Sequence, residues 1–183
     1  MKHDNWRLAL YVGMLLTLVS AACKDDASDG TAGSGGSAAT AGTGGGSAAP
    51  KAVAAITGFM GGAVTGTATF AQSGTDVTVT VAINNCVAGK MYPAHIHAGT
   101  SCADAMAQGD HWGPTRGEGI PKIACQSTSG TATLTRKATD TPDLQWSIGG
   151  NATTDVVGHV VVVHDPDVAM SPPRIACGVI QKQ

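Results

Sequence analysis

The chain has 183 residues, a formal net charge of -2 and no run of basic residues, which argues against nucleic acid or an anionic membrane surface as a partner. Aromatic residues make up only 4% of the chain, whereas glycine occurs 25 times. After about residue 50 the chain is rich in Val, Thr, Ala and Ile in short runs. This composition favours one all-β domain over a helical one.

The N-terminus has the pattern of a secretion signal. Lys2 and Arg7 precede an apolar stretch over residues 8–19, and small residues follow it just before Cys23. The apolar stretch is shorter than the roughly 20 residues that a membrane-spanning helix needs. We therefore predict that residues 1–22 are a signal peptide of the lipoprotein type.

Cys23 is the predicted site of lipid attachment, because the small residues before it resemble a lipoprotein processing motif. Ser20 departs from that motif, which prefers leucine three residues before the cysteine. Ordinary cleavage near Ala22, which gives a soluble exported protein, is the alternative. In the favoured case the protein is anchored to a membrane of the cell envelope, on the periplasmic side or at the cell surface.

Residues 23–50 consist almost entirely of Ala, Gly, Ser, Thr and Asp. Such a segment cannot bury enough apolar surface to offset the entropy lost on ordering. We predict a flexible linker, which as a coil would span on the order of 30 Å. The folded domain is then expected over residues 51–183.

From Val53 onward, short β-prone runs alternate with Gly, Asn, Asp and Pro, a spacing typical of an antiparallel sandwich or barrel. In the run 75–83, apolar residues at every second position share one face and threonines share the other. No segment has a convincing helical pattern. The least regular segment, residues 99–126, is the first place to look for function, because long irregular loops in compact β domains are usually functional.

Four cysteines remain if Cys23 carries the lipid, and they are Cys86, Cys102, Cys125 and Cys177. An even number in an exported chain indicates two disulfides, although the sequence alone permits three pairings. No two cysteines have CxxC spacing, which argues against a structural zinc site made of cysteines.

Four histidines have positions that suit a metal site. His95 and His97 are separated by one residue, so on an extended strand both rings project from the same face. His111 lies in the irregular segment, and His164 ends an apolar run. Four imidazoles that converge would suit copper, a borderline metal that binds nitrogen well.

The chain resembles the copper/zinc superoxide dismutases in five motifs that occur in the family's order. They are ITGFMGGAVTGTATFAQ, AHIHAG, GDHWGP, VVGHVVVVHD and RIACGVI. The resemblance covers about residues 51–180. It implies a Greek-key β-sandwich or barrel, a bound copper ion, and the conversion of superoxide to oxygen and hydrogen peroxide.

The resemblance also implies a role for each of the four histidines. His95, His97, His111 and His164 match the family's copper ligands. His111 matches the histidine that bridges copper and zinc, and it is expected to pass a proton to the nascent peroxide.

Two further features follow from the resemblance. Arg174 matches the arginine that guides the anionic substrate, and Cys102 and Cys177 match the family's intrasubunit disulfide. Cys86 and Cys125 have no counterpart in the family, and we predict a second bridge between them.

The chain departs from the family at the zinc site. No histidine occurs between His111 and His159, where the family has further zinc ligands. His159 is predicted to be structural, because it should face away from His164 on a strand. The segment between His164 and Arg174 is also shorter than the family's charged loop, as in the copper-only branch. Copper is therefore the expected cofactor, and zinc binding is in doubt.

Without zinc, another group has to hold His111. A carboxylate that accepts its second N–H would do so, and the candidates are Asp110, Glu118, Asp165 and Asp167, among which the sequence does not decide.

Two functions stay open at this stage. One is copper-dependent dismutation of superoxide in the cell envelope, and the other is a catalytically weak lipoprotein that binds or buffers copper. The presence of Arg174 favours the first, because a storage site has no need of an arginine that guides an anion. The sequence does not decide between a monomer and a homodimer.

Overall fold

The structure, a computed structural model, describes residues 48–113 and 116–183. The predicted signal peptide, the predicted lipid site at Cys23 and nearly all of the predicted linker lie outside these residues. The described part is almost entirely β-structure, which confirms the predicted all-β class. It contains no helix that is long and apolar enough to cross a bilayer.

The elements of the described part follow one another in the order β1 (Lys51–Gly58), β2 (Thr65–Ser73), β3 (Asp76–Asn84), β4 (Met91–Tyr92), β5 (Ala94–His97), α1 (Ala105–Gln108), β6 (Ile123–Ala124), β7 (Ser129–Arg136), a 3₁₀ turn (Pro142–Leu144), β8 (Val160–His164) and β9 (Arg174–Lys182). Seven strands form one curled antiparallel sheet in the order β5-β8-β9-β1-β2-β3-β7, and β4 pairs with β6. Short turns join β1 to β2 and β2 to β3, whereas long connections join β3 to β5 and β7 to β8. This is the Greek-key β-sandwich or barrel that the sequence predicted.

Strict alternation builds the main core, as β3 illustrates. Val77, Val79, Val81 and Ile83 are buried on one face, while the threonines between them lie on the other and are half-buried. Phe70 of β2 stands opposite Val79 and is also buried. Each such side chain contributes about 1.5–3 kcal/mol to folding when it leaves water.

The strand β8 is buried on both faces. Val161 and Val163 belong to the main core, whereas Val160 and Val162 pack with Cys177 in a smaller cluster on the opposite face. A continuous run of valine suits a strand that has no exposed face.

Two disulfides are present. Cys86 is bonded to Cys125 and Cys102 to Cys177, with Cα atoms 6.1 Å and 5.8 Å apart. The structure thus contains both pairs that the sequence analysis expected. The Cys102–Cys177 bond ties the irregular segment 99–126 to the middle of β9.

The expectation of no helix was wrong at α1. Asp104 caps this helix, because its Oδ1 accepts the backbone N–H of Ala107 at 2.8 Å. The helix ends at Gln108, and its C-cap is Gly109, whose φ of 68° is a conformation that glycine adopts without strain. Four residues are too few to show a helical period in the sequence, so only the capping pattern could have indicated it.

Candidate metal centre

The strand pairing places His95 and His97 outside the main core. His95 stands opposite Val162 and His97 opposite Val160 in the antiparallel pair of β5 and β8. Residues directly opposite each other share a face of the sheet, so both histidines lie on the face of the smaller cluster. Ile96 between them points into the main core and is fully buried.

His111 is placed by strand-like pairing with β5. The backbone N–H of Ala98 donates to Asp110 O at 2.8 Å, and that of Trp112 donates to Ile96 O at 2.9 Å. These two bonds flank an antiparallel bridge that sets His111 opposite His97.

His164 is placed by an irregularity at the end of β8. The pairing register with β9 shifts between Val163 and His164, and the backbone N–H of His164 donates to Pro93 O at 2.9 Å. Such bulges redirect a side chain relative to the regular pleat and are common beside active sites. His164 thereby lies next to Arg174, its partner on β9.

The four histidines converge. One ligand atom of each of His95, His97, His111 and His164 lies within 4.8 Å of the others. The ring centroids of His95 and His111 are 4.4 Å apart, and those of His111 and His164 are 6.2 Å apart. One metal ion between the four rings could therefore contact all of them.

Hydrogen bonds fix which nitrogen of each ring faces this centre. Nδ1 of His97 is 2.9 Å from Gly109 O, and Nδ1 of His164 is 2.9 Å from Pro172 O, so each ring donates its Nδ1–H to a carbonyl. Their Nε2 atoms, 3.3 Å apart, are left with lone pairs. Nδ1 of His95 is buried and has no hydrogen-bond partner among the described residues, as expected of an atom that binds a metal ion.

Burial keeps these rings neutral. Desolvation lowers the pKa of His95 to about 4 and that of His97 to about 3. It also lowers the pKa of His164. Neutral imidazoles keep the lone pair that binds a metal, and a set of four imidazole nitrogens fits copper.

The structure selects one carboxylate from the four candidates for His111. Oε1 of Glu118 lies 2.6 Å from Nδ1 of His111. Asp110 and His111 line one cavity. Among the described residues, however, the Asp110 side chain makes no hydrogen bond to His111. Asp165 accepts the backbone N–H of Asp167, and Asp167 pairs with a lysine. Glu118 is therefore the carboxylate that orients His111.

Gly117 explains how Glu118 reaches this position. Its N–H donates to Trp112 O at 2.7 Å, and its carbonyl accepts the N–H of Ile96 at 2.9 Å. A Cβ atom at this position would lie 2.0 Å from Ile96 O, so the close approach to β5 requires glycine. The next residue is then held beside the ring of His111.

Arg174 lines an open cavity of about 670 Å³ that three of the histidines also line. Its Nη2 donates to Gly109 O at 2.7 Å, and its Nη1 donates to Ala105 O at 2.5 Å. Both acceptors are backbone carbonyls of α1 and its C-terminal cap. The short helix thus holds the guanidinium, and Gly109 O also holds the ring of His97.

His159 does not join the four histidines. Its ring packs against that of Trp112 with centroids 4.4 Å apart, and its Nδ1 is 3.3 Å from Ala98 O. Burial lowers its pKa. This agrees with the structural role that the sequence suggested. Within residues 48–113 and 116–183 there is no second group of three or more potential metal ligands in reach of one another.

Two residues of this site were missed by sequence reasoning, Gly109 and Gln108. A glycine that follows an alanine-rich turn could have indicated a helix C-cap at Gly109. Gln108 is completely buried and lies beside Arg174, and nothing in its sequence context indicates this.

Comparison with known proteins agrees with the geometry. The family model for copper/zinc superoxide dismutase (SODC) matches residues 64–180, well over half of the chain. No curated protein sequence matches the chain. The matched segment contains the four converging histidines, Arg174 and both disulfides. The chain belongs to the copper/zinc superoxide dismutase family.

Proposed function

We propose that this protein uses copper to convert superoxide to oxygen and hydrogen peroxide in the cell envelope. One observation carries the proposal: the ligand atoms of four imidazoles converge, and an arginine lines the cavity that three of these imidazoles also line. A soft or borderline redox metal and an anionic substrate fit this combination of groups.

The donor set assigns a ligand atom to each ring. His95 would hold copper through Nδ1, its unpartnered buried nitrogen, and His97 and His164 would do so through Nε2. His111 would also use Nε2, because its Nδ1 is bonded to Glu118. When bound, copper supplies one-electron chemistry, taking an electron from one superoxide and giving it to the next.

Arg174 would attract and orient the anion. A guanidinium is always charged in proteins, and it presents several donors in one plane. The same cavity is lined by Asp110 and Glu118, whose negative charges would repel superoxide. A fixed cation that lines the cavity is therefore needed to favour the approach of the anion.

His111 would handle the proton. Because Glu118 accepts the N–H at Nδ1, the other nitrogen, Nε2, is the one that would take up a proton when it is not bound to copper and would then pass that proton to the peroxide. We infer that Glu118 does for His111 what zinc does in the wider family, namely fix the orientation of the ring. A nitrogen that donates to Glu118 cannot also bind zinc, so we propose a site that holds copper without zinc.

We also propose export and lipid attachment at Cys23. The support is the signal-like N-terminus together with two disulfides, which form and persist in oxidising compartments. Metabolic labelling with radioactive palmitate in a bacterial host tests this. Label in the wild-type chain and none in Cys23→Ala is expected, and label in neither chain would favour ordinary cleavage near Ala22.

The decisive experiment compares two histidine variants of the full chain, solubilised from a bacterial envelope and loaded with copper alone. His164→Ala removes a proposed ligand, whereas His159→Ala removes a histidine that lies outside the cluster. We expect one equivalent of copper and rapid dismutation in the wild type and in His159→Ala, and the loss of both in His164→Ala. Copper binding without dismutation would support the copper-buffering alternative, and no copper binding at all would contradict both functions.

A further inference from the structure

Gln108 is a buried polar side chain that the proposed mechanism leaves unused. It is the last residue of α1 and is 0% exposed. Its Nε2 has no hydrogen-bond partner among the described residues. Its Oε1 lies 3.4 Å from Nη1 of Arg174.

An unsatisfied amide inside a protein is unfavourable, because the group has left water without gaining a partner. An apolar side chain of the same length, such as methionine, would fill the position without that penalty. A buried polar group without a partner in a folded domain calls for an explanation, and a role at a neighbouring functional site is a common one. The contact with Arg174 is the one polar contact made by this side chain in the described structure.

The surroundings of Arg174 show what that contact can do. The guanidinium donates to two backbone carbonyls, Ala105 O and Gly109 O, and Gln108 lies between these residues in the chain. Its amide oxygen adds a third acceptor, which faces the same nitrogen, Nη1, as Ala105 O. All three acceptors are uncharged, so they fix the orientation of the guanidinium and leave its positive charge available to an anion in the cavity.

We propose that Gln108 is a positioning residue that holds Arg174 toward the cavity and so sets the affinity of the site for small anions. The inference rests on the proposed function, because superoxide is the anion that the site would bind in that function. Its mechanism requires a neutral acceptor. A carboxylate at the same place would pair with the guanidinium and cancel much of its attraction for an anion.

Azide tests the proposal, because it is a small anion whose binding to the copper-loaded protein can be followed by visible absorption without any turnover. The variants of the full chain are Gln108→Met, which removes the acceptor at similar length, and Gln108→Glu, which adds a charge. Gln72→Leu is the matched control, because Gln72 does not line the cavity. Its amide donates a hydrogen bond to Gly74 O and accepts one from the backbone N–H of Ile148.

We expect azide binding to weaken about threefold in Gln108→Met, the lower end of what one hydrogen bond contributes, and about tenfold or more in Gln108→Glu. Copper content should stay at one equivalent in both. In an Arg174→Ala background, Gln108→Met should not weaken azide binding further, because its effect acts through the guanidinium. Gln72→Leu should lower the thermal midpoint and leave azide affinity unchanged.

Unchanged azide affinity in both Gln108 variants would refute the proposal. A loss on Gln108→Met that is as large in the Arg174→Ala background as in the wild type would also refute it. A purely structural role predicts a lower thermal midpoint with unchanged affinity, as in Gln72→Leu. If the wild type binds copper and azide but does not dismute superoxide, the proposed function fails, while the azide series still decides the role of Gln108.

Discussion

Replacing Glu118 by glutamine isolates the hydrogen bond that holds His111. The two side chains meet at 2.6 Å, a short distance typical of a bond to a charged acceptor. Both are partly exposed, with 36% of the His111 side chain and 50% of the Glu118 side chain accessible, so water weakens the interaction. Loss of a group that orients a metal ligand reduces metal affinity or activity about 10- to 100-fold, and this exposure places the expected loss near tenfold.

Asp110→Asn is the matched control for this experiment. Asp110 lines the same cavity, so both variants remove one negative charge from the path of an anion. Their electrostatic effect on the approach of superoxide is then similar, and it should speed dismutation slightly. Only Glu118→Gln changes the group bonded to Nδ1 of His111.

The assay is dismutation by copper-loaded protein after pulse radiolysis, with copper content measured on the same samples. We expect Glu118→Gln to be about tenfold slower than wild type and Asp110→Asn to be as fast or faster. Equal rates in the two variants at equal copper content would show that the hydrogen bond from Glu118 does not orient His111 for the reaction.

Three other perturbations test separate parts of the site. Arg174→Ala should slow dismutation about tenfold at low ionic strength and less at high salt, with copper content unchanged; a fall in copper content would contradict its assignment as an anion guide. Replacing Cys86 and Cys125 by alanine removes a link of sequence separation 39 and should lower the free energy of unfolding by about 4 kcal/mol in a denaturant titration, with dismutation unchanged. The metal-free protein should lose thermal stability as the pH falls from 6.5 toward about 3. In this range histidines of the unfolded chain take up protons, whereas His95 and His97 of the folded protein stay neutral because their pKa values are low. A thermal stability that does not change over this range would contradict these low pKa values.

Alternation along the strands made much of the fold predictable. The run 75–83 became β3 almost residue for residue, because one face of that strand is buried and the other is not. The same rule placed His95 and His97 on one face of β5. The segment Arg174–Lys182 was noticed through its family motif instead, since its buried residues do not alternate.

The support of the site was not predictable in the same way. Four acids near His111 were equivalent in the sequence, and the choice of Glu118 depends on the close approach of Gly117 to the backbone of β5. The burial of Gln108 depends on α1 being folded against Arg174, which is a tertiary contact between residues 66 positions apart. Local sequence patterns carry no information on tertiary contacts such as those of Glu118 and Gln108. The motifs therefore indicated the positions of the proposed ligands but not the residues that hold them in place.

One carbonyl contacts both a proposed copper ligand and the proposed anion-guiding arginine. Gly109 O accepts a hydrogen bond from Nδ1 of His97 and another from Nη2 of Arg174, using both of its lone pairs. Gly109 has a φ of 68°, so replacing it by a residue with a side chain would strain the backbone and displace this carbonyl. Such a substitution should therefore reduce copper affinity and anion attraction together. Among the described residues of the site, the Glu118 side chain bonds only to His111 and the Gln108 side chain only to Arg174, so their variants should separate the two effects. The C-cap of helix α1 is thus the point through which the proposed metal binding and substrate attraction would be coupled.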